Sequence, residues 1–96
     1  MAKSIKDEKI DFLFKGILSL NSIEECYDFF EDLCTIPELR EMSRRLHAAK
    51  MLHNNCLYTE VTEQTGLSTA TISRVNRCLK YGTDGYVTVL QRLENE

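Results

Sequence analysis

Tryptophan is absent from this 96-residue chain, proline occurs once and glycine four times. So few chain breakers argue against a fold of many tight turns and favour long helices. No apolar run approaches the roughly 20 residues that a transmembrane helix needs. The polar start MAKSIKDEK lacks the apolar stretch of a signal peptide. A cytoplasmic protein without a membrane partner is the expectation. Four cysteines are present, but no C-x-x-C pair, and His47 and His53 do not share a helical face. Neither a zinc site nor a disulfide framework is therefore expected. Cys26, Cys34, Cys56 and Cys78 are read as small core residues at apolar helical positions. A glycine-rich phosphate loop and a paired-carboxylate site are also missing. Cys56 near His53 is the sole nucleophile–base pairing, and no third group orients it. No catalytic residue, enzyme activity, metal or cofactor is expected.

Basic charge is scarce as well, since the chain carries 12 Lys and Arg against 15 Asp and Glu, net −3. The distribution matters more than the sum. Residues 1–36 hold four basic and eight acidic groups, and the last fourteen hold one and three. Residues 37–57 hold four basic and two acidic groups, and residues 58–82 three and two. A mildly basic middle lies between acidic ends. A weak basic excess of this kind implies modest, salt-sensitive affinity for a polyanion.

What remains reads as helix throughout, in one all-α domain spanning residues 1–96. A first helix is expected over about 6–20, with Ile10, Leu13, Phe14, Ile17 and Leu18 on its apolar face. Ser22 and Glu25 form the S-x-x-E pattern of a capping box for a second helix over about 23–34. Thr35 and Glu38 repeat the pattern for a third helix over about 37–53, with Pro37 in its first turn. That helix places Leu39, Met42, Leu46, Ala49 and Leu52 inside, and Arg40, Arg44, Arg45 and Lys50 on another face. Those four are either a solvated face or a phosphate patch. A last helix over about 83–93 uses Tyr86, Val89, Leu90 and Leu93.

Between them, residues 58–80 have the layout of a helix-turn-helix. Val61 is the apolar anchor of a short helix, Gly66 takes the sharp turn, and Leu67 plugs it. Ser68 is an N-cap, and Ile72, Val75 and Leu79 return at helical spacing. Gly82 is expected as an αL cap that ends this second helix. The outward face offers Thr69, Ala70, Thr71, Ser73, Arg74 and Arg77. Short hydroxyl groups and arginines suit close approach to bases and phosphates of double-stranded DNA. Thr69, Ala70 and Thr71 are assigned to base edges, with Ser68 as cap. Thr59, Ser73, Arg74, Arg77 and Lys80 are assigned to phosphates or a ligand. An αα-hairpin with a Ser/Thr-rich face is the plainer reading, in which Arg74 pairs with Glu60 or Glu63.

Phe12, Phe14, Tyr27, Phe29 and Phe30 lie on more than one face of the first two helices. A helix apolar on several faces needs neighbours on each, and the simplest is a second copy of the chain. A homodimer also suits DNA, because two recognition helices one duplex turn apart match a pseudo-palindromic site.

The run TGLSTATISRVNRCLKYG, with TIPELREMSRR upstream, resembles the Trp repressor superfamily. More closely it is similar to the Trp-repressor-like YerC/YecD group of small bacterial proteins. The resemblance covers about residues 22–93 and is strongest over 58–80. It implies six helices in an intertwined homodimer whose N-terminal helices build one shared core, acting as a transcriptional regulator, repressor or activator. It implies base contacts from Thr69, Ala70 and Thr71, and a backbone contact from Ser73. Arg74 matches an arginine that lies over a corepressor's indole, with Arg44 or Arg45 as its partner on the third helix. Val75 stands where the family has a glycine that makes room for the indole. Cys78 stands where it has a serine that binds the ligand's amino group. These two changes leave a small-molecule effector site open but argue against tryptophan. The competing reading is a helical protein-interaction module that no longer meets DNA, favoured by the acidic total.

Overall fold

The computed structural model describes residues 5–96, so the expectation for the polar start at residues 1–4 lies outside the described residues. All six regular elements are α-helices: α1 (Glu8–Leu18), α2 (Ile23–Leu33), α3 (Ile36–His53), α4 (Tyr58–Thr65), α5 (Thr69–Tyr81) and α6 (Gly85–Glu94). The chain divides into two compact units, Met1–Ile36 and Pro37–Glu96. No described helix is long and apolar enough to cross a membrane.

The first unit holds α1 and α2. Asp7, not read as a cap in the sequence, starts α1 two residues later than expected, its Oδ1 accepting the Ile10 N–H at 2.8 Å. Ser22 caps α2 by accepting the Glu25 N–H at 3.1 Å. The return bond of the capping box is displaced by one residue, because Glu25 Oε1 accepts from Asn21 N–H at 2.7 Å. The carboxylate still satisfies a backbone donor at the positive end of the helix. Phe29 and Phe30 meet edge to face with ring centroids 5.4 Å apart. Neither helix contains a buried residue. Phe12 is 78% exposed, Leu18 83% and Tyr27 62%, which is too much apolar surface for a unit complete in itself. Between α1 and α2 runs an apolar groove of about 650 Å³, lined by Phe12, Leu13, Gly16, Phe29 and Leu33.

The second unit holds the core. Ala48, Ala49 and Leu52 of α3 pack with Val61 of α4, Leu67 of the turn, Ile72 and Val75 of α5, and Leu90 of α6. Two of the three buried residues of α3 are alanines, so its contribution is small in volume. Met42, Val89 and Leu93, expected inside, are 42%, 43% and 50% exposed. Helical periodicity marks a face as apolar, but four short helices cover only its middle.

Helix ends in this unit carry specific devices. α3 closes in a Schellman arrangement: Asn55 takes φ 63°, Cys56 N–H donates to Met51 C=O at 3.0 Å, and Asn55 N–H to Leu52 C=O at 3.0 Å. α4 starts without a side-chain cap from Leu57, but Glu60 Oε1 accepts the Leu57 N–H at 2.8 Å. Gly82 does end α5, although not in the left-handed region: its φ is −85° and ψ −152°. Glycine is needed there for space, since a Cβ would run into the Cys78 carbonyl. The left-handed residue of this loop is Asp84, φ 65°, one residue ahead of the later start of α6.

Candidate nucleic-acid interface

The helix-turn-helix is held at its turn by one buried polar side chain. Thr65, 7% exposed, donates its hydroxyl to Val61 C=O at 2.7 Å and accepts the Leu67 N–H at 3.2 Å. Gly66 beside it has φ 71° and closes α4 through its N–H to Thr62 C=O at 2.9 Å. A left-handed residue at this point turns the chain sharply enough for Leu67, 6% exposed, to drop into the core. Thr65 was not singled out in the sequence. A threonine before a turn glycine, with apolar residues at 61 and 67, is the signal that could have found it.

Past the turn, Ser68 is extended and its Oγ accepts the Thr71 N–H at 3.1 Å, so α5 begins at Thr69. The same Oγ donates its proton to Thr71 Oγ1 at 3.0 Å. With that acceptor site occupied, the Thr71 hydroxyl keeps its own proton for an outside acceptor. Ile72 and Val75 anchor α5, at 0% and 3% exposure. They orient the opposite stripe outward, where Thr69, Ala70, Arg74, Arg77 and Lys80 are exposed. Ser73 is half-buried at the edge of the stripe, and Thr59 is exposed on α4. No acidic side chain stands in the first turn of α5, so nothing there repels a phosphate. Tyr81, 82% exposed, ends the stripe and closes α5 beside Gly82.

On one flank of α5, Arg45 of α3, Thr71, Arg74, Val75 and Cys78 of α5, and Tyr86 of α6 line a cleft of about 160 Å³. Arg45 is therefore the α3 arginine on this cleft, and Arg44 is not among its lining residues. Arg45 Nε also meets Glu41 Oε2 at 3.5 Å, a half-exposed pair one helical turn apart. Arg74 makes no ion pair with Glu60 or Glu63 among the described residues, and Glu60 is occupied at the start of α4. Cys78 is exposed rather than a core residue, whereas Cys26, Cys34 and Cys56 are half-buried, and all four are free thiols. Position 78 lies one turn beyond Arg74, on the cleft side of the apolar stripe, which is why its helical spacing was misleading. Tyr86 was expected only as packing. It walls this cleft and a larger apolar one of about 640 Å³ lined by Leu46, Gly82, Thr83 and Val89.

A helix-turn-helix of this geometry in a six-helix chain has counterparts. The family model described as Trp repressor protein matches residues 8–94. The chain belongs to the Trp repressor family. An uncharacterized protein, YerC, of Bacillus subtilis strain 168 is 49% identical over 90 residues, covering 94% of this chain and 86% of that protein. The solved structure of a TrpR-like protein from Eubacterium eligens superposes with a TM-score of 0.90 at 52% identity, covering 94% of this chain and 93% of the other. A proposed Trp repressor from Staphylococcus aureus also gives a TM-score of 0.90, at 44% identity, with 96% and 92% covered. Family membership accounts for the all-α, six-helix architecture.

Proposed function

We propose that this member of the Trp repressor family is a sequence-specific transcriptional regulator, a single 96-residue domain that binds double-stranded DNA as a homodimer. The observation that carries the reading is the outward stripe of α5. It is uncharged and short-chained at its N-terminal end, basic further along, and fixed in place by the Ser68 cap and the Ile72–Val75 anchor. Thr69 and Ala70 can approach base edges, with methyl groups suited to thymine. Arg77 and Lys80 serve phosphates, and Thr59 and Ser73 add hydroxyl donors at the edges.

The dimer is supported by α1 and α2, which bury nothing yet present Phe12, Phe14, Leu18 and Tyr27. Each such side chain gains about 1.5–3 kcal/mol when it leaves water. A second copy supplies the cover, and the family's shared-core architecture fits it. Two α5 helices related by a dyad would then read two half-sites.

Selection of bound duplexes from a random pool at low salt tests the reading. The expected result is an enriched motif with twofold symmetry, with affinity falling steeply as salt rises. Absence of enrichment with a stable dimer would favour the protein-interaction module, which the net charge of −3 supports.

A further inference from the structure

Tyr81, the last residue of α5, is 82% exposed and takes no part in the core. Among the described residues, no side chain or carbonyl accepts from its hydroxyl. Ala70, Arg74, Arg77 and Tyr81 follow one another at spacings of four, three and four, so all four lie within about 60° of one line along α5. Ile72 and Val75 hold the other side of the helix in the core. The outward line that begins at the base-reading end therefore finishes at a phenol. No acidic residue occurs in α5 from Thr69 to Tyr81. Arg77 lies one turn before the phenol and Lys80 beside it, so the surroundings of the hydroxyl favour an anion.

Tyr81 lies eleven residues beyond Ala70, a rise of about 16 Å. The major groove is about 12 Å wide. A helix whose first turn meets the base edges leaves the groove before its last turn, and position 81 arrives at the sugar–phosphate rim. Helical side chains lean toward the N-terminus and cover the turn before their own Cα. The phenol of Tyr81 thus covers the turn of Arg77, on the duplex side of its own backbone. A phosphate oxygen only accepts, and a phenol can donate to it in a charge-assisted hydrogen bond.

We propose that Tyr81 is a further DNA-contacting residue, whose hydroxyl donates to a backbone phosphate at the rim of the major groove. The proposal rests on the DNA-binding reading above and extends it along the whole of α5. The far anchor of the helix is then neutral. It adds affinity without adding to the salt dependence that Arg77 and Lys80 create, because no counterion release is tied to an uncharged side chain.

The test titrates full-length wild type, Tyr81→Phe, Tyr81→Ala and Arg77→Gln with one selected duplex between about 50 and about 200 mM salt. Arg77→Gln lowers the log–log slope by about 0.9 per half-site, about 1.8 for the dimer. Tyr81→Phe weakens binding at least about tenfold at each salt concentration and keeps the wild-type slope. Its Tm and dimer dissociation match the wild type, because the side chain is exposed. Methylphosphonate substitution along one half-site locates the contact, since one position weakens the wild type by more than it weakens Tyr81→Phe.

Wild-type binding with full affinity in Tyr81→Phe overturns this proposal alone. Absence of duplex binding by the wild type overturns the DNA reading and the proposal together. A loss in Tyr81→Ala but not in Tyr81→Phe assigns the ring to packing and overturns the hydrogen bond. A weakened dimer in Tyr81→Phe places the residue between two copies of the chain, which overturns it as well.

Discussion

Replacing Thr65 by valine isolates the hydrogen bonds that set the turn. Valine has nearly the same shape, so no cavity opens at this 7% exposed position. The Val61 carbonyl loses only a second partner, because α4 continues through residue 65 and supplies its helical N–H. The Leu67 N–H loses the acceptor it has at 3.2 Å in a buried setting. An orphaned buried donor costs about 1–3 kcal/mol, and the added methyl recovers part of that, leaving a net loss of about 1–2 kcal/mol. For a domain of this size each kcal/mol moves Tm by about 4–8 °C, so a drop of about 5–15 °C is expected at fixed protein concentration. Thr65→Ser keeps the hydroxyl and loses one methyl, at a cost of about 0.5–1.5 kcal/mol. Differential scanning calorimetry of both variants at one concentration decides the matter. A Thr65→Val protein as stable as the wild type would refute the reasoning. A Thr65→Ser protein less stable than Thr65→Val would show that packing, not hydrogen bonding, holds the turn.

The two turn glycines should respond differently to alanine. Gly66 has open space around a built Cβ but φ 71°, so Gly66→Ala should cost only the backbone penalty of about 1–2 kcal/mol. Gly82→Ala must displace the Cys78 carbonyl and should cost more in chemical denaturation, with the two values equal if the collision is relieved freely. Asp84→Gly should stabilise by up to about 1 kcal/mol, since it relieves a left-handed residue at φ 65°; an unchanged midpoint would mean the loop relaxes. Ser68→Ala should lose about 1 kcal/mol of helix-cap energy and weaken duplex binding, because Thr71 loses its hydroxyl partner as well. Calorimetry with tryptophan should give no measurable heat of binding. Saturable binding would show that Val75 and Cys78 leave room for the indole.

Much of the local architecture was legible from residue order alone. Ser22, Ser68 and Gly66 announced their helix ends because caps and left-handed turns depend on the residue itself and its near neighbours. Gly82 shows the limit: glycine's presence was readable, but its reason is a contact with Cys78, four residues back on the helix, and not the sign of φ. Cys78 shows another. Spacing put it near the apolar stripe, yet whether that edge of α5 is covered depends on how far α3 and α6 extend over it.

The sequence by itself determined the helix order, the turn between α4 and α5, the outward positions Thr69, Ala70, Arg74 and Arg77 of α5, and the excess of apolar groups in α1 and α2. All of these follow from periodicity and local capping, which act over a few residues. Only the tertiary structure decided that Arg45 rather than Arg44 lines the cleft with Arg74 and Thr71, and that Thr65 pins the turn. Adjacent arginines on α3 point about 100° apart. Which of them meets α5 is therefore a matter of helix packing, on which sequence spacing is silent.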